Sequence, residues 1–383
     1  MTSVHVVIVG GGIGGLTAAL ALRSAGADVE VYEQAPQLGE VGAGVALAPA
    51  GMRVLERLGV AEPVTRWAVP ISNVDIRQPD GSAMRPPNSD AGQPKPGGAG
   101  PSMGMGMYRP DLIEVLAAAL PDGTLHTGHR CVAVNQGSRS AQVTFDNGVT
   151  VEADMVVGAD GIHSVLQQHV VEPQPPVFSG RIAYRGVLPA DQLPEWPRDA
   201  AALWNGEGKR FLTFPVHGGE LRNFVGFVPA DEQMRESWSA PGEPAALAAE
   251  FAGWDPRLLE LIARIKTTFR WGIFDRDPLP RWSHGRLTLL GDAAHAMQPH
   301  MGQGANQAIE DAMALAILVR ERSAADVSQV LISYENLRRE RTATFQQGSR
   351  ANGERMNKSE YNPGTRRPRI DNYDVEAEAE AAR

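Results

Sequence analysis

The segment Gly10-Gly11-Gly12-Ile13-Gly14-Gly15 constrains this chain most, because it stands between a β-branched apolar run and an apolar helical stretch at the N-terminus. Val4 to Val9 is short and closed by glycine, as a fully buried parallel strand should be. Leu16 to Ala25 reads as a helix, and Val29, Val31 and Tyr32 as a second strand ending at Glu33, which completes a βαβ unit. Gly10, Gly12 and Gly15 then fall in the G-x-G-x-x-G pattern, with Gly14 inside it. The first glycine permits the tight turn, the second lets backbone approach a pyrophosphate, and the third lets helix and strand pack closely. N–H groups at the helix N-terminus would hold the phosphate charge. Glu33 sits where a carboxylate accepts hydrogen bonds from adenosine ribose hydroxyls, and Gln34 beside it is a further contact candidate. The motif by itself does not separate NAD from FAD.

The rest of the chain narrows the class. At 383 residues it is long enough for two interleaved domains. With 43% hydrophobic and 21% charged residues it has an ordinary globular composition, so neither a fibre nor wholesale disorder is expected. The formal charge of −9 and the lack of a basic stripe argue against nucleic acid as a partner. Arg366, Arg367 and Arg369 read as a solvated tail. The single cysteine, Cys131, excludes an intramolecular disulfide and fits a reducing compartment. No run reaches the roughly 18 apolar residues of a membrane span, and no basic region precedes the apolar N-terminus. A cytoplasmic protein, monomeric or homodimeric and without a membrane partner, is expected.

Further along, Arg77 to Pro110 turns rich in Gly, Pro and Ser and reads as an inserted loop, a flexible connection rather than an active-site lid. Met103, Met105 and Met107 alternate with glycines there as gap fillers near the core. Asp111 to Leu120 reads as a helix and Met155 to Val157 as a buried strand. Phe211 to Val216 and Asn223 to Val228 read as an antiparallel hairpin turning at His217-Gly218-Gly219. Leu287 to Leu290 is another buried strand, and the helix from about Ala305 to Arg320 is apolar on nearly every side, which implies burial. The last 30 or so residues, charged and alanine-rich, are expected to fray or dock loosely.

Two segments resolve the choice of dinucleotide. Asp154-Met155-Val156-Val157-Gly158-Ala159-Asp160-Gly161-Ile162-His163-Ser164 is one, and Gly291-Asp292-Ala293-Ala294-His295 with Pro299 and Gly302-Gln303-Gly304 is the other. With them the sequence, from residue 1 to about 350, resembles the flavoprotein aromatic hydroxylases, the family with the para-hydroxybenzoate hydroxylase fold. The resemblance implies that Asp292 binds the ribityl chain of FAD. Backbone from Pro299 through Gly302 and Gly304 to Ala305 would line the isoalloxazine ring, and the Asp160 segment would serve both FAD and the pyridine nucleotide. Tyr108-Arg109-Pro110-Asp111-Leu112 resembles the family's His-Arg-x-Asp-Leu element, in which Arg109 would contact the flavin and its phosphates. Tyr108 replaces the more usual His.

The fold so implied is α/β: a Rossmann-like FAD-binding domain with a parallel sheet and an inserted, mainly antiparallel β substrate domain. The expected division is 1–75, 105–175 and 280–350 for the FAD-binding domain, 76–104 and 176–279 for the substrate domain, and 351–383 for a C-terminal tail. The implied chemistry is that NADH or NADPH reduces FAD and O2 forms a flavin hydroperoxide, which hydroxylates a small (hetero)aromatic, phenolic or carboxylated substrate without any metal. Same-fold alternatives are an epoxidase, a Baeyer-Villiger oxygenase or a tailoring oxygenase of secondary metabolism. A non-catalytic dinucleotide-binding redox sensor is a reading of a different class.

Within the family the likeness is to salicylate, 3-hydroxybenzoate and 6-hydroxynicotinate hydroxylases, several of which carry a His and a Tyr where this chain has Arg210 and Phe214. Arg210 could grip a carboxylate bidentately, or lie on the surface of its strand. His300, inside the flavin-lining segment, is a candidate to orient a phenolic oxygen or relay its proton. His217 reads as a solvated turn residue and His295 as structural. Trp204, Phe211, Phe214 and Phe227 are candidates for an apolar pocket wall or for plain core. Ala46, where 6-hydroxynicotinate hydroxylases carry a His, argues against that substrate, and Gln167 replaces an Arg common after the Ser164 position.

Overall fold

A computed structural model describes residues 3–39, 42–84, 104–230, 240–357 and 373–383. Met103 and most of the Gly/Pro-rich insertion lie outside the described residues. Elements are numbered in chain order.

The N-terminal unit forms as its pattern demands. Strand β1 (His5–Val9) pairs in parallel with β2 (Asp28–Tyr32) on one side and β11 (Met155–Gly158) on the other. Strand β19 (Leu287–Leu289) extends the sheet in parallel beyond β11, and β7 (Leu125–His126) extends it beyond β2. The short β18 (Ser283–His284) closes one edge antiparallel. Helix α1 (Ile13–Ser24) starts three residues earlier than the apolar periodicity suggests, because the glycines themselves make its first turn. A meander of β8 (Cys131–Gln136), β9 (Ala141–Phe145) and β10 (Thr150–Ala153) shares one core with this sheet. Cys131 is buried there. Ile8, Leu16 and Leu22 are wholly buried; burial of each such side chain contributes about 1.5–3 kcal/mol.

Helix α8 (Gly304–Val319) packs against α1 and is buried nearly all round, as its composition implies. Its polar residues are satisfied internally. Arg338, on the long helix α9 (Val327–Asn357), donates to Asp311 Oδ1 at 2.7 Å, Glu310 Oε2 at 2.9 Å and Gln307 Oε1 at 2.9 Å. His295 Nε2 lies 2.5 Å from Asp311 Oδ2, which bears out its structural reading. Burial opposes the charge on Asp311, yet His295 and Arg338 hold its carboxyl below the ordinary range.

A seven-stranded sheet makes the second large layer, in the order β16 (Ala240–Gly242), β17 (Thr268–Asp275), β12 (Val177–Pro189), β15 (Leu221–Pro229), β14 (Lys209–Val216), β13 (Ala200–Gly206) and β5 (Asn73–Arg77). Every pairing in it is antiparallel except β13 with β5. One face is covered by α5 (Pro244–Glu250) and α6 (Pro256–Arg264). The other turns toward a small sheet of β3 (Gly44–Leu47), β6 (Gly104–Tyr108) and β4 (Val69–Ile71). Helices α2 (Pro49–Arg57), α3 (Ala61–Trp67) and α4 (Arg109–Ala118) flank that sheet. Met107 is fully buried in β6.

The C-terminal segment departs from expectation. Residues 351–357 continue α9, and α10 (Val375–Ala381) docks on α8. Val375 and Ala379, four residues apart on one helix face, are buried, and Asp374 caps the helix by accepting from Glu376 and Ala377 N–H. Among the described residues no helix is long and apolar enough to cross a membrane.

Candidate functional site

The glycine turn is shaped for a ligand. Gly10 has φ +112, and a Cβ there would stand 2.3 Å from the Ala159 carbonyl oxygen. A Cβ on Gly15 would stand 1.9 Å from the Gly10 oxygen, so this glycine lets helix and strand close up. A Cβ on Gly14 would meet Leu290, just after β19, at 2.8 Å and Ala308 of α8 at 3.2 Å, so Gly14 sits where α1 packs against α8. Only Gly12 faces open space, with nothing within 4 Å of its Cβ position, and no side chain caps the helix it begins. Backbone donors next to an open notch suit an anionic group.

Glu33 follows β2 directly. Its Oε2 accepts from Gly11 N–H at 2.7 Å and its Oε1 from Ala35 N–H at 2.8 Å, which fixes the carboxylate beside the glycine turn with lone pairs to spare. Gln34 is exposed next to it. Asp160 turns into its own loop: Oδ2 accepts from Val165 N–H at 2.8 Å while Oδ1 is buried without a partner, and burial raises its carboxyl above the ordinary range. It holds the shape of the loop that abuts Gly10. Arg109 begins α4 and its N–H donates to the Ala43 carbonyl at 3.0 Å. Tyr108 before it lies over Gly42, where a Cβ would come within 1.7 Å of the phenol oxygen, so the Tyr in place of His depends on that glycine.

The third segment faces the first. Gly291, φ +63, turns the chain into the one-turn helix α7 (Asp292–His295), and Asp292 at its start is exposed with no hydrogen bond among the described residues. Gln167, buried, braces α7 by donating to the Ala293 carbonyl at 3.2 Å. After the Pro299–Met301 turn, Gly302 adopts φ +64 and α8 begins at Gly304, with Ala305 next, its N-terminus uncapped by any side chain. Asn306 fastens this turn to β3, since its Nδ2 donates to the carbonyls of Ala46 and Gly302, both at 2.9 Å. No motif singles out Asn306, whose partner Ala46 lies 260 residues away.

On the inner face of the large sheet, pairing places Trp271, Ala183, Phe227, Arg210 and Asn205 in one row across five strands. Arg210 is buried, which removes the surface reading, and its Nε donates to Asn205 Oδ1 at 3.2 Å. Phe214 lies on the same face, wedged against Gly44 and Gly106, where Cβ atoms would come within 2.8 and 3.0 Å of its ring. It packs the small sheet against the large one. The His300 ring is 5.1 Å from that of Phe227. The residue as a whole is half-buried, yet both ring nitrogens are buried without a partner. Burial, then the charges of Arg210 and Arg181, push the imidazole well below the ordinary histidine range. Arg181, unmarked by any motif, is itself lowered to about 10 by burial and by Arg210.

Two expectations need correction. Trp204 and Phe211 sit on the opposite face with α5 and α6, where Trp204 Nε1 donates to Asp255 Oδ2 at 2.9 Å, so only Phe214 and Phe227 remain on the inner face. His217 is not a solvated turn residue. It stacks on Trp67 at 4.5 Å and binds Asp111 Oδ2 through Nδ1 at 2.7 Å, tying the hairpin turn to α4.

Residues 3–349 match the family model described as an FAD binding domain. The chain belongs to this FAD-binding family. The 3-amino-4-hydroxybenzoate 2-monooxygenase of Streptomyces platensis is 39% identical over 91% of this chain and 87% of its own length. The salicylate hydroxylase of Pseudomonas putida is 36% identical over 91% and 85%. A solved salicylate hydroxylase–substrate complex superimposes with a TM-score of 0.80 at 29% identity, over 99% of this chain and 98% of that one. The enzyme is therefore an FAD-dependent monooxygenase of the aromatic-hydroxylase group, and the dinucleotide is FAD.

The residues present fit that group. Gly12 leaves the notch open, α1 offers uncapped backbone donors, and Asp292 presents a carboxylate with no hydrogen bond among the described residues. When bound, FAD carries electrons from NADH or NADPH to O2.

Proposed function

We propose that this enzyme hydroxylates a small aromatic ring that carries a phenolic hydroxyl or a carboxylate, with Arg210 receiving the anionic group and His300 the hydroxyl. The observation that carries the reading is His300, whose two buried nitrogens are unpartnered beside Phe227. A neutral imidazole next to cations accepts a hydrogen bond from a phenol and does not compete for the substrate's anionic group. Arg210, fixed by Asn205, offers a planar fork for a carboxylate. Phe227 and Phe214 supply apolar surface on the same face.

Asp292 and the backbone from Pro299 to Ala305 would hold the ribityl chain and ring of FAD, Gly12 and α1 its pyrophosphate, and Glu33 its ribose. The uncapped start of α8 places positive dipole at the ring, where charge grows on reduction. The relatives act, by name, on 3-amino-4-hydroxybenzoate and salicylate; Arg210 and Phe214 stand where several hydroxylases carry His and Tyr, so this chain's substrate differs from the familiar ones in its polar substituents. The test is a panel of phenols, hydroxybenzoates and hydroxylated heteroaromatic acids scored for stimulated NAD(P)H oxidation and for a product one oxygen heavier. Anionic phenols should stimulate most. A panel in which no aromatic compound gains oxygen would overturn the proposal.

A further inference from the structure

Among the described residues nothing polar fixes the His300 ring, so shape sets its orientation there. On one side stands Phe227. Helix α9 also stands against the ring, and at the point of contact that helix carries Gly353. A Cβ at Gly353 would lie 3.0 Å from His300 Cδ2, 3.1 Å from His300 Nε2 and 2.6 Å from Gln298 Oε1. Gln298 cannot swing aside freely, because its Nε2 donates to Asp275 Oδ2 at 3.0 Å, and Asp275 is gripped by Arg350 through two bonds of 2.9 Å. Arg350 and Gly353 share a face of α9, three residues apart. The same helix carries Gly348 under the neighbouring Met301, where a Cβ would stand 2.9 Å from Sδ. Glycine weakens a helix interior relative to alanine, so two glycines under two consecutive residues of the Pro299–Met301 turn call for a reason. The close seat they give that turn supplies it.

We propose that Gly353 is a positioning residue, a notch in α9 that sets the place and tilt of the His300 imidazole against the substrate. The inference rests on the reading of His300 as the group that meets the substrate hydroxyl. With no hydrogen bond to restore it, a ring pushed by α9 shifts relative to Phe227 and to the substrate it would meet. Displacements well under 1 Å at a reacting group reduce turnover, and a full 1 Å can cost about a hundred-fold.

The test is a double-mutant cycle of Gly353→Ala and His300→Ala in the FAD-loaded enzyme, read in three ways. These are turnover with 3-amino-4-hydroxybenzoate, thermal midpoint, and the imidazole resonances of histidine-labelled protein. Gly353→Ala is expected to shift the His300 resonances, to lower turnover roughly ten-fold at unchanged flavin content, and to change turnover no further once His300 is alanine, while the midpoint falls in both backgrounds because the new Cβ still meets Gln298 Oε1 at 2.6 Å. Should Gly353→Ala fail to accumulate, the cycle is run with Gln298→Ala in every member, which removes that nearer contact. Unmoved His300 resonances, or effects of the two substitutions on turnover that simply add, would overturn the notch while leaving the role of His300 standing. Unimpaired turnover in His300→Ala alone, on a substrate the parent enzyme accepts, would overturn both.

Discussion

Asn306 Oδ1 accepts the Ala48 N–H at 2.8 Å, and this bond ties the end of β3 to the first turn of α8, whose backbone is proposed to line the flavin ring. The same side chain donates to Ala46 and Gly302, so its amide is fully engaged. Asn306→Ala leaves one buried donor and two carbonyls without partners, at about 2–4 kcal/mol in all. Thermal unfolding should fall by several degrees and bound FAD should fall with it. Unchanged flavin content in a destabilised variant would show that the clamp serves stability alone.

Asp292 has no hydrogen-bond partner among the described residues, and its Oδ1 lies beside Gly304, 3.8 Å from the Cβ position there. Asp292→Ala therefore costs the fold little, while FAD loses a charge-assisted hydrogen bond of about 1.5–3 kcal/mol. The expected result is a folded protein that loses most of its yellow colour on dilution, measured as flavin absorbance per chain. Full occupancy at low concentration would remove Asp292 from the site.

Arg210 is buried on the inner face and held by Asn205. Arg210→Ala should raise KM for an anionic substrate by about ten- to a hundred-fold, the equivalent of one charge-assisted contact, with KM for a neutral phenol much less affected. Equal changes for both substrates would argue that Arg210 only shapes the strand.

The His300 imidazole lies well below its ordinary range because of burial, then Arg210 and Arg181. Its folded pKa is depressed, so the stabilisation is complete above about pH 6.5, the unfolded value. It is lost progressively as pH falls from there toward the folded pKa, because only the unfolded chain takes up the proton. Thermal midpoints should drop between about pH 7 and pH 5, and His300→Gln should flatten part of that slope. Parallel curves for the two proteins would show that His300 does not titrate in this way.

The C-terminal residues 373–383 are fastened at several points. Arg53 donates to the Tyr373 carbonyl at 2.8 Å, Arg341 lies 3.5 Å above the Tyr373 ring, and Arg320 pairs with Glu380. Deleting them exposes apolar surface of α8 and should lower stability by about 2–3 kcal/mol, judged from the side chains uncovered. A thermal midpoint equal to that of the full chain would restore the loose-tail expectation.

The cofactor half of this account was legible in the sequence because it depends on local backbone demands. Gly10 at φ +112 and Gly15 against the Gly10 oxygen are constraints that only glycine meets, so a short pattern betrays them. The substrate half was not, since its contacts join strands and helices far apart in sequence: Ala46 with Asn306, Arg181 with Arg210, His300 with Gly353. Some of the error was avoidable. Phe211 and Phe214 are three residues apart on one strand and cannot share a face, so they could never have lined one wall together. His217 misled because Gly218-Gly219 signals a turn correctly but says nothing of Trp67 and Asp111, which fold over that turn from elsewhere. The C-terminal helix misled by its charge: Val375 and Ala379 are its only strongly buried positions, too few to outweigh the glutamates between them in a reading by composition.

This enzyme is expected to insert one atom of O2 into an aromatic acid or phenol at the expense of NAD(P)H. Turnover under heavy-isotope oxygen, with mass analysis of the product, tests it most directly. The account predicts a yellow protein whose product carries one labelled oxygen atom on the ring for each NAD(P)H consumed in productive turnover. Unlabelled product, or NAD(P)H oxidation that yields only hydrogen peroxide with every aromatic compound offered, would contradict it.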